Sequence, residues 1–117
     1  MGNESCKPRS EKTMFDTMKD TGILFENKVE DGRTENSFLF RNFYNGGGVA
    51  IGDLNNDGLA DVFLTSNMGS NTLFLNKWNG TFEDITTRAG ILSDDKWNTG
   101  VTLVDINHDG WRDIYVC

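Results

Sequence analysis

Two nine-residue segments hold the most concentrated chemistry of the chain, Asp53-Leu54-Asn55-Asn56-Asp57-Gly58-Leu59-Ala60-Asp61 and Asp105-Ile106-Asn107-His108-Asp109-Gly110-Trp111-Arg112-Asp113. Both read D-x-N-x-D-G-x-x-D. Side-chain oxygens at places 1, 3 and 5, a turn-permitting Gly at 6, a main-chain carbonyl at 7 and a carboxylate at 9 can wrap a hard cation of calcium size. Calcium accepts six to eight oxygens in flexible geometry, whereas magnesium demands a stricter octahedron and keeps its waters. Three carboxylates within nine residues repel one another unless a cation neutralises them, so each loop is expected to hold Ca²⁺. The competing reading is a plain hairpin whose Asn-Asp-Gly turn favours the same composition.

An EF-hand loop requires a bidentate Glu at its twelfth place and flanking helices. That place is Leu64 in the first segment and Val116 in the second, each in a strand-like run, so the EF-hand and dockerin readings fail.

The two loops lie inside a longer internal repeat. GVAIGDLNNDGLADVFLT, residues 48–65, aligns without gaps on GVTLVDINHDGWRDIYVC, residues 100–117, at an offset of 52. A fainter echo joins FDTMKDTGI at 15–23 to FEDITTRAGI at 82–91. Within the unit, β-branched and aromatic runs (GVAIGDL, ADVFLTS, NTLFLNK, TFEDITT) alternate with Gly, Asn and Asp clusters, which predicts four short strands. The consecutive apolar residues of 62–64 and 73–75 suit strands covered on both faces. Only 14–20 could form a short helical turn, and its echo with the strand-like segment at Phe82 argues against it.

A four-stranded unit repeating every ~40 to 50 residues is the pattern of a β-propeller blade. The expected fold is therefore all-β, built of four-stranded antiparallel blades and forming part of a larger propeller. Residues 1–47 are read as a partial blade plus an insertion, 48–90 as a complete blade, and 91–117 as a linker and the first half of the next blade. The remaining blades of the same propeller are the expected neighbours of the unpaired edges. The isolated segment is expected to be partly ordered or to aggregate.

At this point the sequence resembles the FG-GAP and VCBS repeats of integrin-type propellers, from Phe43 to Cys117. The phrase FYNGGGVAIGD…NTLFLNKWNGTFEDIT is similar to secreted or outer-surface bacterial propellers of the ASPIC-associated type. The resemblance places the acidic loop between the first two strands of each blade. It implies Ca²⁺ ligation by Asp53, Asn55, Asp57, Asp61 and the Leu59 carbonyl, and by Asp105, Asn107, Asp109, Asp113 and the Trp111 carbonyl. The chain departs from the integrin form in lacking its Phe-Gly-Gly-Ala-Pro string.

The composition excludes several classes. With 18 Asp and Glu against 11 Lys and Arg, a formal net charge of −7 and no basic run, a nucleic-acid surface is not expected. No stretch approaches the ~18 to 20 apolar residues of a membrane span, and the opening MGNESCKPRSEK contains no hydrophobic export core. Cys6 and Cys117 stand at the two extremes and read as unrelated thiols; a lipid anchor on Cys6 is the weaker alternative, because Asn3-Glu4-Ser5 precede it.

Remaining candidates are weaker still. The single His, His108, occupies a non-liganding loop place and reads as a solvated side chain, so no Ser-His-Asp logic is available. Gly46-Gly47-Gly48 leads into a strand and lacks a P-loop Lys. Trp78, Trp97 and Trp111 read as blade-packing residues ahead of sugar-stacking ones, and Asn79-Gly80-Thr81 fits a glycosylation sequon.

Two functions remain open. One is a non-catalytic, calcium-stabilised propeller of an extracellular or outer-surface binding or adhesion protein, with a protein or glycan partner. Extracellular calcium sites work at weak affinity, ~10⁻⁴ to 10⁻³ M, which favours that location. The other is the non-catalytic propeller portion of a secreted polysaccharide-degrading enzyme; no general base is offered by this chain.

Overall fold

The computed structural model of the protein describes residues 13–91 and 97–117. Both Cys6 readings lie outside them. Six strands follow in chain order: β1 (Val49–Gly52), β2 (Asp61–Leu64), β3 (Thr72–Asn76), β4 (Phe82–Asp84), β5 (Val101–Val104) and β6 (Asp113–Val116). Among the described residues there is no helix, and none therefore that is long and apolar enough to cross a membrane. The 14–20 segment forms neither a helix nor a strand, although the stretch it echoes begins with β4.

β1 to β4 form one antiparallel meander in the order β1-β2-β3-β4, and β5-β6 form a second, two-stranded sheet. The class is all-β and antiparallel, as expected, with four strands in the first sheet and two in the second. The registers agree: Ile51 stands opposite Val62 in the first hairpin and Leu103 opposite Ile114, its repeat counterpart, in the second.

Side chains alternate between the faces of a strand and paired residues share a face. One face of the first sheet therefore carries Ala50, Phe63 and Leu73, all buried. The half-buried Val101, Leu103, Ile114 and Val116 of the second hairpin pack against this cluster. In repeat terms these four are the counterparts of Val49, Ile51, Val62 and Leu64, which lie on the opposite face of the first sheet. The units thus stack head to tail, the second face of one unit on the first face of the unit before it.

That arrangement leaves complementary surfaces open at both ends of the stack. Val49 and Ile51 are exposed on the outer face of the first sheet, and Val104 and Tyr115 on the outer face of the second. Coverage of both faces, expected for 62–64 and 73–75, is reached at the centre of the sheet, where Phe63 and Leu73 are buried on one side and Phe74 on the other. Strand β1 departs from it because only one of its faces meets a neighbouring unit.

Close main-chain approach requires glycine before β1. A Cβ on Gly47 would come within 1.9 Å of the Thr65 carbonyl oxygen in the same sheet, and one on Gly48 within 2.7 Å of the Thr99 carbonyl oxygen at the entry to β5. The triple glycine is thus a main-chain approach and not an anion cradle.

Two of the three tryptophans depart from the packing role. Trp78 is 82% exposed at the tip of the β3-β4 turn, held at a φ of 69°, and Trp111 is half exposed within its loop. Only Trp97 packs against another ring, that of Phe43, with centroids 5.1 Å apart. Turn closure by Lys77 N–H to the Thr81 carbonyl projects Trp78 away from the sheet. His108 is exposed, in line with a solvated side chain.

Candidate metal centre

The acidic loops connect β1 to β2 and β5 to β6, the place the repeat resemblance implies. Their conformations coincide. The fourth residue is left-handed in both (Asn56 φ 57°, His108 φ 60°), as is the sixth (Gly58 φ 84°, Gly110 φ 88°). Asn tolerates this region better than most residues, and Gly enters it freely.

Their hydrogen bonds coincide as well. The first Asp accepts two main-chain N–H groups across the loop: Asp53 Oδ1 from Asp57 at 3.2 Å and Oδ2 from Gly58 at 2.8 Å. Asp105 accepts from Asp109 at 3.1 Å and from Gly110 at 3.0 Å. Asn55 and Asn107 each donate a side-chain amide to the carboxylate two places on, at 2.8 and 2.9 Å. Asp57 and Asp109 each accept the N–H of place 7, Leu59 or Trp111, at 2.8 Å. The ninth residue closes the loop from the strand side, Asp61 Oδ2 accepting from Leu54 and Asp113 Oδ2 from Ile106.

The loops differ at that ninth place. Asp61 is wholly buried and its Oδ1 also accepts the N–H of Asn76 on β3 at 3.0 Å, whereas Asp113 is half-buried. The loops stand side by side, with the Asn56 amide 3.5 Å from the Gly110 carbonyl oxygen.

The donor set matches a hard cation in kind: each loop supplies three carboxylates, an amide oxygen and the place-7 carbonyl, without sulfur or imidazole ligands. In this conformation the carboxylates turn onto loop N–H groups, and among the described residues no three acidic, His or Cys side chains converge into a metal shell. An Asp oxygen that accepts one N–H retains a lone pair for a cation, so the hydrogen bonds orient the ligands without excluding the ion.

At the other end of the blade lies a polar cluster that the sequence reading missed. Thr65, Ser66 and Asn67 are buried, with Asn71 and Asn98 nearly so. Asn27 Oδ1 accepts the Asn67 N–H at 2.9 Å, and its amide donates to Asn67 Oδ1 at 2.6 Å. The Asn67 amide then donates to the Asn98 carbonyl at 3.1 Å, and Thr65 Oγ1 donates to that of Thr99 at 3.1 Å. Three distant segments are thereby fastened at one point. The S-N-x-G-x-N string at 66–71 is the signal that could have drawn attention to it.

Among the described residues Cys117 is a free, exposed thiol. Comparison with known proteins agrees with the repeat reading. The family model described as an FG-GAP-like repeat matches residues 53–116, more than half of the chain. Cartilage acidic protein 1 of Xenopus tropicalis is 42% identical over 74 residues, covering 62% of this chain and 11% of that protein. The protein of the same name from Mus musculus is 39% identical over 69 residues, 59% of this chain and 11% of its own length. The chain thus spans about a tenth of the length of the curated relatives it matches. No solved structure matches it. These matches support the FG-GAP family and not its narrower bacterial, ASPIC-associated kind. From its two loop-bearing hairpins and this match, the chain belongs to the FG-GAP-like repeat family.

Proposed function

We propose that the chain is a calcium-stabilised blade unit in the β-propeller of an extracellular or cell-surface binding protein, with a protein or glycan partner and no catalytic step of its own. The observation that carries this reading is the identity of hydrogen-bond pattern in two loops 52 residues apart, which holds five oxygen donors in the same order twice. Asp53, Asn55, Asp57, Asp61 and the Leu59 carbonyl would hold one ion. Asp105, Asn107, Asp109, Asp113 and the Trp111 carbonyl would hold the other. Bound calcium supplies positive charge that offsets the mutual repulsion of three carboxylates.

The chain's own residues form a hairpin end fixed by Asp53 and Asp105 and tied into the sheet by Asp61. A binding role is supported by the two loops side by side on one rim and by the exposed Trp78 and Trp111.

Calorimetric titration with Ca²⁺ and Mg²⁺, together with melting curves, tests the metal role. Two calcium ions per chain are expected, with Mg²⁺ weaker, and both are lost in Asp57→Ala with Asp109→Ala. At 100 times its dissociation constant calcium stabilises by ~2.7 kcal/mol per site. A folded protein that gives neither heat nor a melting shift with calcium would leave acidic hairpins only.

A further inference from the structure

We infer that the cavity between residues 35–46 and the entry to β5 is a binding site for a neutral glycan, one or more uncharged sugar rings. This deepens the binding-module reading and rests on it, but it does not involve the calcium loops. The cavity has a volume of about 690 Å³. That lies within the ~300–1,000 Å³ of small-ligand sites.

Its composition is two-sided. The wall is apolar and aromatic, made by Phe40, Phe43 and Trp97, with the Phe43 and Trp97 rings inclined at 33° and 5.1 Å apart. Phe43 is buried beneath and fixes the half-buried indole, so the stacking surface is preorganised. The mouth is polar: Asn42, Asn45 and Glu35 border it, all exposed. None of these three side chains has a hydrogen-bond partner among the described residues.

A sugar ring has the matching form, with an apolar C–H face for an aromatic wall and hydroxyls at its edge for amide and carboxylate groups. A purely apolar occupant would take water from the Asn42 and Asn45 amides without replacing its hydrogen bonds. The Glu35 carboxylate at the mouth repels sulfated or carboxylated glycans, which leaves neutral ones. The turn in the 35–46 segment is shaped by Asn36, whose Oδ1 accepts the N–H groups of Phe38 and Leu39.

The test is an array of neutral and anionic oligosaccharides probed with the full-length protein, followed by titration of the best neutral one. Affinity should fall about tenfold or more in Trp97→Ala and severalfold in Asn42→Ala with Asn45→Ala, and should be unchanged in Lys28→Ala, an exposed residue that does not line the cavity. The asparagine pair is exposed and keeps the test valid if loss of Trp97 disturbs Phe43. Binding of no neutral glycan, binding of anionic glycans alone, or neutral binding that survives both the Trp97 and the asparagine variants overturns the inference. A melting shift with calcium measured on the same samples reads the metal role separately, so failure of one is distinguished from failure of the other.

Discussion

Asp61 on β2 accepts the main-chain N–H of Asn76 on β3, at 3.0 Å and with no exposure to solvent. The last carboxylate of the first acidic loop therefore fastens that loop to the third strand as well as closing it. Its counterpart Asp113 is half-buried and, among the described residues, accepts from Ile106 alone.

The two positions should therefore respond differently to the same change. In chelator, Asp61→Asn keeps one acceptor oxygen but turns an NH2 onto the other of two part-buried N–H groups and is expected to cost about 2–3 kcal/mol, against about 1 kcal/mol for Asp113→Asn. Chemical denaturation of the full-length variants measures the difference; equal losses would mean that the Asn76 contact contributes nothing.

The glycine run separates steric need from flexibility. Gly47→Ala forces a methyl onto the Thr65 carbonyl and should destabilise by about 3 kcal/mol or more, while Gly46→Ala, with nothing within 4 Å of the added atom, should stay within about 0.5 kcal/mol. Melting temperatures of the two variants decide it, and a matched pair of small shifts would show that the main chains do not approach so closely.

The buried asparagine cluster predicts a loss that no single strand explains. Asn67→Ala removes the side-chain bonds to the Asn27 amide and the Asn98 carbonyl together, keeps the main-chain bond to Asn27, and should cost about 2 kcal/mol. Because Asn27 precedes the blade, hydrogen exchange should quicken at residues near 27 as well as near 67. Exchange confined to the mutated turn would show that the N-terminal segment is held by other contacts.

Acid should act on one exposed group with a defined sign. The hydrogen bond from Lys77 at 2.8 Å, its charge, and the charge of Arg88 hold the Glu83 carboxyl below its ordinary value of 4.5. A depressed folded value stabilises fully above the unfolded one and is lost as pH falls from about 4.5 through the folded midpoint. An NMR titration of the Glu83 carboxyl should give a midpoint below 4.5, rising toward it in Lys77→Met. A midpoint at or above 4.5 in the parent protein would show that the pair does not persist in solution.

The repeat, the six strands, the hairpin placement of both acidic loops and the all-β class were legible from the residues alone. Each of these depends on neighbours within about ten positions: alternating strand runs, Asx and Gly turns, and a loop whose hydrogen bonds span two to five residues. The family match over 53–116 falls on the same stretch.

Tertiary structure decided everything that joins distant positions. The fastening of Asn67 crosses 40 residues to Asn27 and 31 to Asn98, and local composition shows no more there than an Asn-rich turn. The outward set of Trp78, the pairing of Trp97 with Phe43, and the open faces at Ile51 and Tyr115 were likewise beyond the sequence. An apolar or aromatic residue has the same identity whether or not another segment covers it. Local pattern determined which backbone each segment adopts, and only the packing of one unit on the next determined which side chains became wall, core or open surface.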